Sequence, residues 1–481
     1  MNNDFKIESI QIKNIKNVCN GKVDFIDNEG FINLLGIYGQ NGSGKTTLIT
    51  AIEFCKLLIS GQVVNEEIFD LDSLLRFGIS SSIEITFIFG SWTFIYSVTV
   101  AKRKFERYES EIKTTETGFS IVSESLKYKE NKPGSRMKIF MAYDEMKALT
   151  FSLKPVTKFP LNTKNITLVS TAIRSFENKV SSIIFNDLLK ELIHSAYMDE
   201  EIFNKFLDFK KKVQRDIFVF TNQSNGLINL NSGSPLPLYF YYKGNGQVAS
   251  GVFPLPTNKS TKIPDHALDV FKNIILQINF VLPQLVPNLE IGIRELSHEL
   301  DKNGDKLTEI EVISKRKDIE IPFRAESDGN KKIVSILSSL IHAYSSSEAI
   351  VLIDEFDSGI FEYLLGEILV SLNDVMKGQI IFTSHNLRAL EVLKVRNVVF
   401  TTTDENEVYK RFNSIKETNN LRDIYLREVQ LGTENQLYNK TNVFKIQRAF
   451  RTAKKSIEEQ KEEWKPLKWV TMKGYKKWWI K

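Results

Sequence analysis

Nine consecutive residues, Gly39-Gln40-Asn41-Gly42-Ser43-Gly44-Lys45-Thr46-Thr47, satisfy the pattern G-x-x-x-x-G-K-[ST]. Glycines at this spacing let the backbone turn tightly, so that successive N–H groups face one point and can hold phosphate oxygens. Gly39, Asn41, Gly42, Ser43, Gly44 and Thr47 are therefore candidate cradle residues. Lys45 would reach the β- and γ-phosphates, and the Thr46 hydroxyl would complete a Mg²⁺ shell. The flanks fit this chemistry: a strand is expected over Ile32 to Tyr38 and a helix over TTLITAIEFCKLLI, whose N-terminus adds its dipole to the cradle. A glycine-rich turn without chemistry is the plain alternative, and requiring a strand before it and a helix after it makes a chance match rarer.

The second group is Ile350-Val351-Leu352-Ile353-Asp354-Glu355, four apolar β-formers ending in two carboxylates. At the end of a central strand Asp354 would hold Mg²⁺ or its water, and Glu355 would face an attacking water as general base. Taken alone, the two acids read better as a helix N-cap pair, and it is the company of the glycine-rich loop that favours the metal-and-base reading. More than 300 positions separate Lys45 from Asp354, so a large insertion must lie between two halves of one site. An Asn-Lys-x-Asp guanine reader is missing, the nearest approach being Asn258-Lys259-Ser260-Thr261. Adenine is favoured by that absence.

These residues need a scaffold, and the chain supplies 481 residues, enough at about 150 per domain for two to four folding units. The hydrophobic share of 42% and charged share of 26% exclude wholesale disorder and fibrous repeats. The two cysteines, Cys19 and Cys55, make neither a disulfide framework nor a structural zinc site, which suits a reducing cytoplasm. No signal-peptide pattern opens the sequence and no apolar stretch approaches the ~18 residues of a membrane span, so a cytoplasmic protein without membrane contact is expected. The net charge of +5 by itself implies no nucleic-acid partner.

Apolar periodicity gives an organisation in four parts. Residues 1–164 read as an N-terminal lobe with the glycine-rich loop and an antiparallel meander over 82–128, turning near Gly90 and Gly118. Residues 165–285 read as a mainly helical insertion around a Gly-, Asn-, Ser- and Pro-rich stretch. Residues 286–405 alternate short apolar strands with helices, the pattern of a parallel sheet covered on both faces, and 406–481 form a C-terminal extension. The fold class is α/β, with a parallel core sheet and an antiparallel β subdomain.

In that order the motifs resemble the ABC-type head domain of SMC, DNA-repair and OLD-like P-loop ATPases. Walker A resembles Gly39 to Thr47, and the signature segment resembles Glu326-Ser327-Asp328-Gly329-Asn330-Lys331-Lys332. Walker B resembles Val351 to Glu355, the D-loop resembles Phe356-Asp357-Ser358-Gly359, and the switch histidine resembles His385 after QIIFTSH. The resemblance implies a homo-oligomer with composite sites. ATP and Mg²⁺ on Walker A of one head would be closed over by Ser327 and Gly329 of a second, and His385 would sense the γ-phosphate. ESDGNKK stands where transporters carry LSGGQ, no glutamine loop is evident in 130–170, and long coiled-coil arms are absent.

Within this branch, SKRKDIEIPFRAESDG, IDEFDSGIFEYLLGEIL, GQIIFTSHNLRALE and NNLRDIY resemble the standalone ATPases of anti-phage and abortive-infection systems. These include the AriA-type ATPase of PARIS systems and the AbiL type. The resemblance implies a sensor that holds or releases a separately encoded effector, a nuclease of Toprim or HNH type, in response to a phage-encoded trigger. The alternative is an SMC-like clamp acting on DNA ends or in DNA repair.

No nuclease in cis is expected. The residues after His385 contain no Asp-x-Asp; the pair Asp70 and Asp72 lies in the wrong order, and the five histidines are scattered. The tail carries Trp464, Trp469, Trp478 and Trp479 among Lys465, Lys468, Lys473, Lys476, Lys477 and Lys481. It reads as a DNA or RNA contact, a protein anchor, or a packed segment with a solvated basic face. Lys13 and Lys16 lie at the end of the first strand, where the resemblance to SMC-like heads implies a basic contact to nucleotide; a solvated strand edge explains them equally well.

Overall fold

The computed structural model describes residues 4–64, 69–75, 79–109, 112–144, 180–187, 200–221, 236–244, 247–255, 260–300, 302, 304–405, 407–412, 420–431, 437–438 and 442–463. Most of the segment searched for a glutamine loop, the histidine His194 and the whole Trp464 to Lys481 tail lie outside the described residues.

Short runs of buried aliphatics build the central sheet. Its order is Ile217–Phe220, Ile350–Ile353, Gln379–Thr383, Leu34–Tyr38, Val398–Thr401 and Tyr409–Lys410. The first five strands are parallel to their neighbours and the last pairs antiparallel with Val398–Thr401. Every residue of Ile350–Ile353 is buried, as a strand covered on both faces requires. Its side chains divide between two cores. Ile350 and Leu352 join the cluster of the loop helix Lys45–Ile59, the helix Glu200–Asp216 and the antiparallel sheet. Val351 and Ile353 join the cluster of the helices Asp265–Leu285, Asp328–Ser345 and Glu362–Leu372. Each such side chain contributes about 1.5–3 kcal/mol on burial, so the strand that delivers Asp354 is firmly held.

The antiparallel subdomain is a six-stranded sheet in the order Lys138–Asp144, Ile112–Glu130, Trp92–Glu109, Ser81–Phe89, Phe5–Ile15 and Val18–Asp24. Gly90 sits in the expected turn at φ 58. The second expected turn is misplaced: Gly118 pairs with Arg103 inside a long ladder whose last pair is Glu109 with Ile112. The glycine weakens the strand locally but Thr, Phe and Ile around it continue the pleat.

Between 165 and 285 the structure has the helices Glu200–Asp216 and Asp265–Leu285, together with a hairpin of Leu236–Gly244 and Gln247–Leu255. The same stretch supplies Ile217–Phe220 to the edge of the core sheet. Four apolar residues directly after a helix give periodicity too little length to separate strand from helix. Met1–Leu437 forms one compact unit and Tyr438–Lys481 a second, with the helix Val443–Glu463 in the latter. Among the described residues no helix is long and apolar enough to cross a membrane.

Candidate functional site

The glycine-rich loop leaves the buried strand Leu34–Tyr38 and enters Lys45–Ile59 with Gly39 at φ 154, Gly42 at φ 76 and Gly44 at φ 102. A Cβ on Gly39 would lie 1.8 Å from Thr401 Oγ1, so only glycine fits there. Side chains from distant parts of the sequence hold the loop. Thr401 Oγ1 donates to Tyr38 O at 3.1 Å and also contacts Ser43 Oγ. Thr47 Oγ1 donates to Asn17 Oδ1 at 3.2 Å, Asn17 Nδ2 donates to Gly42 O, and Tyr409 OH donates to Gly44 O at 2.8 Å. Lys45 Nζ donates to the carbonyls of Gly39 and Gln40, both at 2.9 Å. Burial lowers its pKa, and the negative charges of Asp354, Glu355 and Asp357 oppose the fall.

The two halves of the site meet. Register pairs Ile353 with Phe382, which sets Asp354 level with Thr383 at the carboxyl ends of adjacent strands. Asp354 Oδ1 accepts from Thr46 Oγ1 at 3.0 Å across 308 positions of sequence, and from Thr383 Oγ1 at 2.7 Å. Burial raises the Asp354 pKa, while these two hydroxyls and the charge of Lys16 oppose the rise. Lys16 is half-buried, whereas Lys13 is exposed. The donors at this point are hydroxyl and carboxylate oxygens, a set that suits Mg²⁺.

Glu355 has φ 48, a left-handed conformation that costs a non-glycine residue about 1–3 kcal/mol. Its N–H donates to Thr383 Oγ1 at 2.7 Å and its carbonyl accepts from Lys332 Nζ. The reading as an N-cap pair fails, because turns follow the strand and the next helix is capped at Phe361. Asp70, the other acid pair's first member, caps a short helix by accepting from Ser73 N at 2.9 Å, and Asp72 pairs with Lys102 at 2.6 Å.

Ser327 is the N-cap of Asp328–Ser345, accepts from Asn330 N at 3.3 Å and is exposed. Behind it Arg316 holds buried Glu326 by donating from both terminal guanidinium nitrogens, one to each carboxylate oxygen. A Cβ on Gly329 would lie 2.0 Å from Gly359 O, so the signature helix rests backbone to backbone on the D-loop. Lys332 secures the contact by donating to Glu355 O and, at 3.0 Å, to Ser358 O; burial lowers its pKa to about 8. His385 is exposed at the end of Gln379–Thr383, and its N–H donates to Asp357 Oδ2 at 3.1 Å. Burial of part of the ring and nearby Lys45 lower its pKa.

Lys45, Thr46, Asp354, Glu355 and His385 are thus neighbours, while Ser327 and Gly329 are joined to the same site only through the D-loop and Lys332. Residue types and spacing did not single out Thr383, Lys332, Thr401, Asn17 or Tyr409. Thr383 alone carried a signal, since it follows an apolar strand at the end where sheets of this kind bind ligands.

A family model described as "AAA domain" (AAA_23) matches residues 9–322, and one described as "AAA domain, putative AbiEii toxin, Type IV TA system" (AAA_21) matches residues 255–391. Comparison with curated proteins gives no match. Among solved structures, an SmcHead bound to the C-winged helix domain of ScpA is 11% identical, with 84% of this chain and 97% of that one covered and a TM-score of 0.36. An Smc head with an extended coiled coil, bound to the C-terminal domain of ScpA and derived from Pyrococcus furiosus, is 12% identical (89% and 100% covered, TM-score 0.41). The SMC head domain from Thermotoga maritima is 14% identical (85% and 99% covered, TM-score 0.33). The first family model covers more than half of the sequence and contains the glycine-rich loop, and the chain belongs to that AAA-domain family of P-loop ATPases.

Proposed function

We propose that this protein binds ATP with Mg²⁺ and hydrolyses it in a composite site formed when two copies meet. Lys45 and the loop N–H groups bind the phosphates, Thr46 and Asp354 hold the metal, and Glu355 takes the proton of the attacking water. Bound Mg²⁺ would supply charge neutralisation at the terminal phosphates. Ser327 and Gly329 of the partner subunit close the cradle with a hydroxyl and a helix N-terminus, and His385 reports the γ-phosphate.

The observation that carries this reading is the junction of Thr46, Asp354, Thr383 and Glu355, where two sequence-distant motifs share hydrogen bonds. Exposure of Ser327 supports its role toward a second copy. The four-part division with boundaries at 164, 285 and 405 belongs to the same proposal, as does a cytoplasmic location.

At the level of biology the proposal is a sensor in anti-phage, abortive-infection defence that holds or releases a separately encoded nuclease of Toprim or HNH type. The match of residues 255–391 to a family described as a putative AbiEii toxin of a Type IV TA system supports it. Pull-down of the tagged protein from its native cells, followed by mass spectrometry, tests this part. A stoichiometric nuclease partner is expected, and recovery of the ATPase alone with DNA-stimulated hydrolysis would contradict it.

A further inference from the structure

The helix Asp328–Ser345 carries two groups that face different ways. Ser327, its N-cap, is exposed. About 7.5 Å further along the axis, at 1.5 Å per residue, Lys332 is half-buried and reaches into its own chain. Its Nζ donates to Glu355 O and, at 3.0 Å, to Ser358 O.

Those two carbonyls belong to one tight turn. Ser358 N–H donates to Glu355 O at 2.9 Å, Phe356 N–H to Thr383 O at 2.9 Å and Ile360 N–H to Asp357 O at 3.1 Å. Glu355 stands in this turn at φ 48, a conformation that persists only where its surroundings over-determine it. Its main chain is gripped from two elements: the N–H by Thr383 of the core sheet, the carbonyl by Lys332 of the signature helix. Gly329 lies three residues before Lys332 and so on the same side of the helix, where the D-loop backbone leaves no room for a Cβ. A displacement of the helix therefore either carries the turn with it or breaks the Lys332 bonds. An ammonium donating to two carbonyls makes charge-assisted bonds, stronger than neutral ones, which suits it to pull the turn along.

The composite site proposed above, on which this inference rests, gives the two ends of that connection different nucleotides. Ser327 caps the ATP of the partner subunit, whereas Glu355 serves the ATP of its own chain. We propose that Lys332 is a positioning residue through which capping of the partner's ATP orders the base Glu355 of its own chain, so that neither ATP is hydrolysed at full rate until both are bound. Coupling of this kind is reciprocal in binding: ATP that orders Glu355 in its own site also favours the helix position that caps the other.

The test uses the full chain with ATP and Mg²⁺ and follows phosphate release against ATP concentration. Two coupled sites give the wild type a Hill coefficient approaching about two. Lys332→Met keeps the unbranched stem and deletes the donors; it should lower the coefficient to about one and slow turnover about tenfold, with nucleotide affinity within about threefold. A second measurement keeps Lys332 in place. In about tenfold excess of Lys45→Ala chain, a wild-type chain meets partners whose own site is empty, and its turnover should fall about tenfold, whereas the slow rate of Lys332→Met should stay within about twofold. Sedimentation velocity of Glu355→Gln with ATP separates the two ways to fail. A monomer there sinks the composite site and this inference with it. With a dimer there, any of three results overturns the role of Lys332 and leaves the composite site standing: a wild-type coefficient of about one, a Lys332→Met coefficient equal to the wild type's, or equal slowing of both chains by the Lys45→Ala partner.

Discussion

Replacing Thr383 by valine keeps the shape of a side chain that is 1% exposed and deletes one oxygen. That oxygen donates to Asp354 at 2.7 Å and accepts from the N–H of Glu355 at 2.7 Å. Its loss leaves a buried carboxylate with Thr46 as its remaining hydroxyl partner here and strips the main hold on a residue in left-handed conformation. A buried hydrogen bond lost with its partner left unsatisfied costs about 1–3 kcal/mol. If most of that falls on the placement of Glu355 and Asp354 during reaction, kcat drops by about 10–100-fold. Nucleotide binding, which rests on the loop and Lys45, should stay within about threefold. Steady-state phosphate release and fluorescent-nucleotide titration read the two quantities, and Thr383→Ser, which restores the hydroxyl, should recover most of the turnover. A folded Thr383→Val protein that hydrolyses ATP at the wild-type rate would refute the role given to this junction.

Other outcomes are as definite. Glu355→Gln should bind ATP normally, hydrolyse it at least about 100-fold more slowly and accumulate the paired state in sedimentation; unchanged turnover removes Glu355 from the role of base. Lys45→Ala should lose most nucleotide affinity in equilibrium dialysis, and normal affinity contradicts the phosphate cradle. Burial raises the Glu53 pKa from 4.5 to about 7, against the pull of Lys56 and Lys16. The folded form therefore binds more protons than the unfolded one between these values, and stability from this group is present at acid pH and lost as pH rises toward 7. Urea midpoints of Glu53→Gln relative to wild type should climb from pH 4.5 to 7, and a flat difference would discount the burial of Glu53.

The motifs were legible because each couples residue type to a short spacing, and the strands around them because AIVLI and IIF are short apolar runs between helices. What closes the site was not. Thr383 acts through hydrogen bonds to Asp354 and the N–H of Glu355, and Lys332 through the main-chain carbonyls of Glu355 and Ser358, and neither type nor spacing marks such a role. Tyr409 and Asn17 reach the loop from 365 and 25 positions away. Ile217–Phe220 was hidden by brevity, and Gly118 misled because a strand tolerates a glycine that a turn prefers.

Whether the site is completed by a second copy can be read from a structure of Glu355→Gln with ATP and Mg²⁺. Ser327 and Gly329 of the partner subunit are predicted to lie within about 3.2 Å of the γ-phosphate held by Lys45. A bound triphosphate with the Ser327 helix of every copy turned to solvent would contradict it.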